Sequence, residues 1–434
     1  MGYHHDLRRY TTLVSPVALF AALMGCGSET SDPEPGDGTG AIDLLRVGTP
    51  RDGLIGWNIV SPSFEQPNDA DVLSFEWDYF MVHDAKGAFT GSVGYLFANP
   101  RNAGEGGLGD LVPKGGNVAI AGRFDDGVQV ADYRNFGLEA SSISAMERSF
   151  DAQVGEEFGR MTPQRGQQGE ADRLLLEGKT DEFSWELTVT QDWPALSSSD
   201  HVFAPEGSDD VGAMMPGENW NVNMLWPRTK VSGVITRMGT SEPVVVEGHG
   251  YRENSWGRWA FNLGGWDFGV VSDELAGVSW AWQTYHKKST NLDYLDVGFV
   301  DGGVVVLEQF RVAEGQLGWK HPAWTFDSVA RQCTPVSTVV VGQNERYRVE
   351  ANLDLRGRQV PMLSDATSAT KQYVIMIQFP MVEGVITRRA DGGVVATFSG
   401  QGGGEFSTSR STRESMTDEE CVAWGEEYAA PMPE

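Results

Sequence analysis

The sequence predicts an all-β protein made of two small antiparallel β-barrels in tandem. Three observations support this fold class: turn-forming glycine is abundant, strand-length apolar runs alternate with turn residues, and one strand motif recurs about 150 residues later along the chain. The chain has 434 residues, including 53 Gly and 14 Trp. This length exceeds that of a typical single domain, so two domains are expected.

The clearest strands lie between residues 231 and 312. These runs are rich in Val, Trp and Phe, with Gly and Asp turns between them; they are 231–238, 242–251, 266–273, 277–285, 295–302 and 303–312. Many short strands at such spacing favour barrels or sandwiches. We expect few helices, at 168–178, 322–332 and 417–428.

An internal repeat divides the chain. The segment GVITR at 233–237 recurs at 384–388, and GHGYRE at 248–253 aligns with GQGGGE at 400–405. Two collinear matches predict a duplicated unit of about 150 residues, which is the size of one small barrel. We therefore predict barrels at 42–258 and 259–434.

The first 25 residues have the pattern of a bacterial export signal. Arg8 and Arg9 precede a short apolar run, and Leu-Met-Gly-Cys26 resembles the lipobox of bacterial lipoproteins. We expect residues 1–25 to be removed, Cys26 to be lipidated and 26–41 to form a flexible tether. This predicts a lipid-anchored monomer in the bacterial cell envelope, at the outer membrane or periplasmic face rather than in the cytoplasm; secretion without a lipid is the alternative.

Charge and cysteine content limit the partners. The formal net charge is −28, which repels nucleic acid and anionic lipid, so we expect no nucleic-acid partner and membrane contact only through the lipid. In an oxidising compartment Cys333 and Cys421 are expected to form a disulfide, although two buried free thiols would also fit the sequence.

The segment GHGYRENSWG at 248–257 concentrates reactive side chains. His249, Tyr251 and Glu253 alternate, so on a strand they share one face. If that face is a barrel interior, desolvation raises the pKa of Glu253 and keeps it protonated. Such an acid could protonate an alkene while Tyr251 and His249 orient it.

A structural role for Glu253 is the alternative. A buried carboxylate between two barrels could bind Arg252, Arg258 or backbone amides and hold the halves together. Glu405, at the matching position of the second half, strengthens this interpretation because a duplicated acid is more often architectural.

Aromatic residues crowd the thirty positions that follow. Trp faces can stabilise a developing carbocation, whereas ordinary core packing is the alternative. We predict a binding site for a long apolar ligand that includes Asn254, Trp256, Trp259, Trp266, Trp280, Trp282 and Tyr285.

The same segment resembles the lipocalin-like superfamily that includes carotenoid 1,2-hydratase (hydroxyneurosporene synthase), tocopherol cyclase, AttH-type bacterial proteins and lipocalin-like Diels–Alderases. Its pattern, G-x-x-Y-x-[Asp/Glu]-x-x-aromatic-Gly, maps onto Gly248, Tyr251, Glu253, Trp256 and Gly257. The resemblance implies lipocalin-like barrels and Glu253 as proton donor. The chain departs from the family in having Glu253 where the hydratases have Asp, and in having Gly403 where the second copy would carry Tyr.

These observations leave four functions open. The first is cofactor-free, acid-initiated hydration or cyclisation of an isoprenoid or polyene by Glu253, and the second is a pericyclic closure that needs positioning alone. The third is a non-enzymatic lipid-binding lipoprotein, and the fourth is a structural surface lipoprotein with a filled core and no ligand. We expect no cofactor, because the GxGxxG segment at 104–109 lacks the flanking strand and helix of a dinucleotide site. We also expect no metal, because the histidines lack zinc spacing.

Overall fold

The structure is a computed structural model that describes residues 43–44, 74–99, 115–137, 139–144, 149–164, 166, 170–193, 202–203, 219–240, 242–258, 265–286, 293–363, 374–408 and 415–434. Within these ranges the chain forms 25 β-strands and one α-helix, which confirms the all-β prediction. The first strand, β1 (Asp43–Leu44), is two residues long. The predicted signal, Cys26 and the tether lie outside the described residues and stay predictions.

The first half forms one antiparallel sheet of twelve strands, here called the first sheet. Its strand order is 5-4-3-2-13-12-10-9-8-7-6, with β11 paired to β12. The sheet encloses a core filled by aromatic and aliphatic side chains, among them Phe80, Tyr95, Phe150 and Trp185. The strands are β2 (Ser74–Asp84), β3 (Phe89–Asn99), β4 (Gly115–Phe124), β5 (Gln129–Gly137), β6 (Ser141–Ser144), β7 (Ser149–Val154), β8 (Glu157–Gln164), β9 (Arg173–Lys179), β10 (Phe183–Gln191), β11 (Val202–Phe203), β12 (Asn219–Arg237) and β13 (Val244–Arg258).

The second half forms two sheets around a second core. The eight-stranded sheet has the order 1-17-16-15-14-25-22-21, and the five-stranded sheet has the order 18-19-20-23-24. Trp280 and Phe310 of the former pack with Val340 and Ile386 of the latter. The strands are β14 (Gly265–Asp273), β15 (Val278–Tyr285), β16 (Tyr294–Asp301), β17 (Val304–Arg311), β18 (Leu317–Asp327), β19 (Gln332–Gln343), β20 (Tyr347–Asp354), β21 (Gln359–Leu363), β22 (Val374–Gln378), β23 (Met381–Arg388), β24 (Val394–Gln401) and β25 (Gly403–Thr408).

The two halves share one strand arrangement at the repeat. The GVITR copies lie in β12 and β23; Glu253 lies in β13, the next strand after β12, and Glu405 lies in β25, the second strand after β23. In each half the last strand pairs with the first: β13 with β2, and β25 with β14. These first strands are also related, because WDYFMVHD at 77–84 corresponds to WDFGVVSD at 266–273. Their offset of 189 residues differs from the offset of the other matches, which hides the relation in the sequence.

Gly403 has no side chain, unlike its counterpart Tyr251, because the Met81 side chain occupies the space that a side chain at position 403 would need. A Cβ atom added to Gly403 would overlap the Met81 side chain of β2, which crosses this position. Met81 is almost fully buried. The departure from the family pattern at Gly403 is therefore explained by close packing of β25 on β2.

One of the three predicted helices is present. Residues 417–428 contain α1 (Asp418–Gly425), which Thr417 begins with a capping box, and a 3-10 turn at Glu426–Tyr428. The predicted helices at 168–178 and 322–332 are wrong: their apolar residues lie in β9 and β18. Leu174 and Leu176 are buried with the period of two that a paired strand requires.

A disulfide joins Cys333 of β19 to Cys421 of α1. Both cysteines are buried beside Trp324 and Tyr428, so the C-terminal helix is held against the second half. None of the described helical segments has the length and apolar character needed to cross a bilayer.

Candidate functional site

The candidate site lies where the first sheet packs on the eight-stranded sheet. On β2, Phe80 enters the first core, whereas Tyr79 points to the opposite face. The outward face meets Phe268, Val270 and Ala281 of the second half. We call this contact region the interface.

The predicted shared face of β13 exists, but it points into the interface. Tyr251 packs with Tyr79 and Phe268 there, and Glu253 lies directly opposite Tyr79 in the β2–β13 pairing. The idea that this face lines a barrel interior is therefore wrong: the intervening residue Arg252 points inward, over the Phe80 ring of the first core.

Glu253 is buried, with 5% of its surface exposed, and each of its oxygens accepts a hydrogen bond. The Tyr251 hydroxyl donates to Oε2 at 2.9 Å, and the Trp77 indole N–H donates to Oε1 at 3.2 Å. Burial and the charge of Glu253 raise the pKa of Tyr251 well above its ordinary value. The phenol therefore remains protonated and available as a donor.

Glu405 repeats this arrangement in the second half. The Trp266 indole N–H donates to its Oε2 at 3.1 Å, as Trp77 does to Glu253. Burial raises the pKa of Glu405 to about 7; the bond from Trp266 lowers this pKa, and the Glu253 charge raises it. The two carboxyl groups are therefore electrostatically coupled.

Four side chains form a row that joins the two acids. Glu253 is the cross-strand neighbour of Tyr79, and Glu405 is the cross-strand neighbour of Phe268. The rings of Tyr79 and Phe268 meet edge to face with centroids 5.7 Å apart. Since directly opposed residues in a sheet lie about 5 Å apart, this row places the acids on the two sides of one aromatic contact.

Further polar groups surround Glu253 on the second-half side. The Tyr294 hydroxyl donates to Gln283 Oε1 at 2.8 Å, and Arg311 forms a 3.0 Å ion pair with buried Asp296. Burial, followed by the Glu253 and Asp296 charges, raises the pKa of Tyr294 well above its ordinary value. The neighbourhood contains three carboxyl groups and one guanidinium, which favours positive over negative charge on a ligand.

His249 connects the two sheets two residues before Tyr251. Its Nε2 lies 2.6 Å from the Ser272 carbonyl oxygen of β14, and because a carbonyl can only accept, Nε2 carries the proton. Its ring lies 5.7 Å from that of His83. This geometry shows His249 bridging the interface; its predicted orienting role stays a prediction.

Two residues of the β13 segment lie on its other face. Arg252 Nε donates to Asp78 Oδ1 at 2.8 Å, and both side chains are nearly inaccessible to solvent. Burial raises the pKa of Asp78 although the Arg252 charge lowers it. Asn254 donates to the Trp77 carbonyl at 3.2 Å and is fully buried. The structure thus separates Asn254 from the Glu253 carboxyl.

The predicted aromatic wall is divided. Trp266 contacts Glu405, whereas Trp280 and Trp282 belong to the second core, on the face of β15 opposite the interface residue Ala281. Their placement favours core packing. Trp256 and Tyr285 are described only as strand backbone, and Trp259 lies outside the described residues.

Sequence reasoning missed Trp77, Tyr79 and Tyr294 and treated Glu405 only as a structural copy. The signal that could have found the first two is the Trp-Asp-aromatic motif that opens both β2 and β14. Across the ranges that the structure describes, no group of three or more His, Cys, Asp or Glu side chains could hold a metal ion.

Comparison with known proteins bears on the fold. No protein-family model and no curated protein sequence matches the chain. Among solved structures, a putative AttH protein from Nitrosomonas europaea matches with a TM-score of 0.51 and 13% identity, over 83% of this chain and 99% of that one.

Two further structures match to a similar extent. CghA with Sch210972 gives a TM-score of 0.51 and 11% identity over 78% of this chain and 89% of CghA. Kievitone hydratase from Nectria haematococca gives a TM-score of 0.50 and 10% identity, over 80% of this chain and 92% of the hydratase. These likenesses confirm the predicted lipocalin-like fold.

Proposed function

We propose that this protein catalyses the cofactor-free, acid-initiated hydration or cyclisation of a long apolar isoprenoid or polyene at the interface. The observation that carries the proposal is the coupled pair of Glu253 and Glu405, each held by an indole N–H. When the surroundings of two carboxyl groups give them different pKa values, one can act as an acid and the other as a base near neutral pH.

The surrounding side chains suit the charge that such a reaction develops. Protonation of an alkene leaves a carbocation, which aromatic faces and nearby carboxylates stabilise. Trp77, Tyr79, Trp266 and Phe268 supply aromatic surface beside the acids, and Tyr251 and Trp77 fix Glu253 in position. The same fold in kievitone hydratase, whose name denotes a hydratase, supports this class of reaction.

The predicted lipid on Cys26 fits such a substrate. A long isoprenoid or polyene resides in membranes, so a tethered enzyme would remain close to its substrate. A diacylglycerol mass on the mature N-terminal peptide would support this part of the proposal, and an unmodified Cys26 would contradict it.

The Glu253→Gln variant tests the acid pair. Purified protein is incubated with squalene and with geranylgeraniol in mild detergent, and products one water heavier or isomeric are measured by mass spectrometry. Because general acid–base catalysis contributes about 10²–10⁴-fold, we expect Glu253→Gln to lower turnover by a factor in that range. Glu247→Gln, an exposed change on the same strand, should leave turnover unaffected.

Other outcomes would contradict the proposal. Full turnover by Glu253→Gln would indicate that the site only positions its ligand, as a pericyclic reaction requires. Lipid that co-purifies with the wild-type protein, without conversion of either compound, would indicate a carrier.

A further inference from the structure

We infer that Glu405 is the proton donor and that Glu253 is its anionic partner, which accepts the proton released by water. This inference rests on the proposed function and deepens it, because it assigns the acid and the base. The sequence had assigned the proton to Glu253 and a structural role to Glu405.

The hydrogen bonds to Glu253 favour its ionised form. An indole N–H can only donate, and the Tyr251 phenol donates to the other oxygen. Both oxygens of Glu253 therefore already accept a hydrogen bond, which is the arrangement that stabilises a carboxylate over a carboxylic acid.

Glu405 has a different set of contacts. Its Oε2 accepts from Trp266, whereas Oε1 has no hydrogen-bond partner among the residues that the structure describes. Glu405 as a whole residue is half-buried, whereas Glu253 is buried. Of the two acids, Glu405 is therefore the more accessible from solvent.

The elements around Glu405 contribute one charged group that acts against its ionisation. This group is Glu253 of β13; β2 contributes Tyr79, whose pKa is raised first by burial and then by the Glu405 charge. Strand β14 contributes Trp266 and Phe268, and β22 contributes Ile377. Since a negative charge opposes the ionisation of a second carboxyl group, an ionised Glu253 favours the protonated form of Glu405.

The hydration step balances with these two groups alone. The Oε1–H bond of Glu405 breaks as a C–H bond forms at one alkene carbon, leaving a carbocation and the Glu405 carboxylate. Water adds to the cation through its oxygen, and the proton it loses passes to the Glu253 carboxylate. Transfer of that proton to Glu405 restores the starting state, so the net change is addition of one water.

Two measurements test the assignment. With the squalene and geranylgeraniol assay, we expect wild-type turnover to fall as pH rises through about 7, because the pKa of Glu405 is raised to that range and the acid form is required. Glu405→Gln should lose at least about 100-fold in turnover, and Glu405→Asp should retain part of it. Glu383→Gln, an exposed change in the second half, is the matched control.

The infrared carboxylic-acid C=O band gives a readout that needs no substrate. At pH 6 the wild type should show one protonated-carboxyl component that Glu405→Gln lacks and Glu253→Gln retains, in addition to bands from buried Asp78 and Asp267, whose pKa values burial also raises. In Glu253→Gln this component should titrate at lower pH, because the neighbouring charge is gone.

The outcomes separate the two proposals. Unchanged turnover in Glu405→Gln, or a band that disappears in Glu253→Gln instead, would overturn the assignment while leaving an acid-initiated reaction intact. A wild-type protein that shows the expected band but converts neither compound would overturn the proposed function.

Discussion

Replacing Arg252 with Met is expected to lower the free energy of unfolding by about 3–5 kcal/mol. Arg252 and Asp78 form an ion pair with side-chain exposures of only 2% and 4%, and removing one partner leaves an uncompensated buried charge. Chemical denaturation at neutral pH measures the loss. The loss in free energy of unfolding should be larger at pH 8 than at pH 4. Without Arg252 the pKa of Asp78 rises further, so at low pH Asp78 is protonated and leaves no buried charge, whereas at higher pH its unpaired charge destabilises the fold.

Two controls separate the charge effect from packing. Arg356→Met removes an exposed pair with Asp354 and should leave the free energy of unfolding nearly unchanged, because solvent screens exposed pairs. Combining Arg252→Met with Asp78→Leu should recover most of the loss, because no unpaired charge remains. A double variant as unstable as Arg252→Met would show that side-chain packing, and not the ion pair, explains the defect.

Replacing Cys421 with Ser is expected to lower the free energy of unfolding by about 4.6 kcal/mol. The disulfide to Cys333 spans 88 residues of sequence, and the chain-entropy relation for a loop of this size gives about that value. Reductant should lower the midpoint of wild-type denaturation to that of Cys421→Ser and leave the variant unchanged. Equal midpoints for wild type and variant without reductant would mean that the bond does not form in solution.

The local pattern of β13 was predictable from sequence, whereas its orientation was not. Alternation places His249, Tyr251 and Glu253 on one face because side chains in a strand have a period of two. Which layer that face meets depends on the strands that pair with β13 and on the second half that packs against it. Both are long-range contacts, so an interior face was expected where the structure has an interface.

The same limitation applies to the aromatic residues and to the second acid. Trp280 and Trp282 were predicted to line a ligand site, with core packing as the alternative, and the structure places both in the second core. Glu405 was found through the repeat; its electrostatic interaction with Glu253 depends on the packing of the two sheets, where Tyr79 meets Phe268. That contact joins residues 189 positions apart, which no local pattern reveals.

The helix predictions show where apolar content misleads. The run Leu174-Leu175-Leu176 fits a helix as well as a strand, because short apolar runs do not settle the period. Pairing of β9 with β8 and β10 decides the outcome. At 417–428 the predicted helix is present, and the structure shows that Thr417 and Glu420 begin it with a capping box.

In the proposed reaction a carboxyl proton from the interface begins each turnover. Conversion carried out in D₂O tests this step, because the acid that starts each turnover is reprotonated from solvent water. One carbon-bound deuterium is expected in every product molecule, located by mass spectrometry and NMR. A product formed at full rate in D₂O with no carbon-bound deuterium would contradict it.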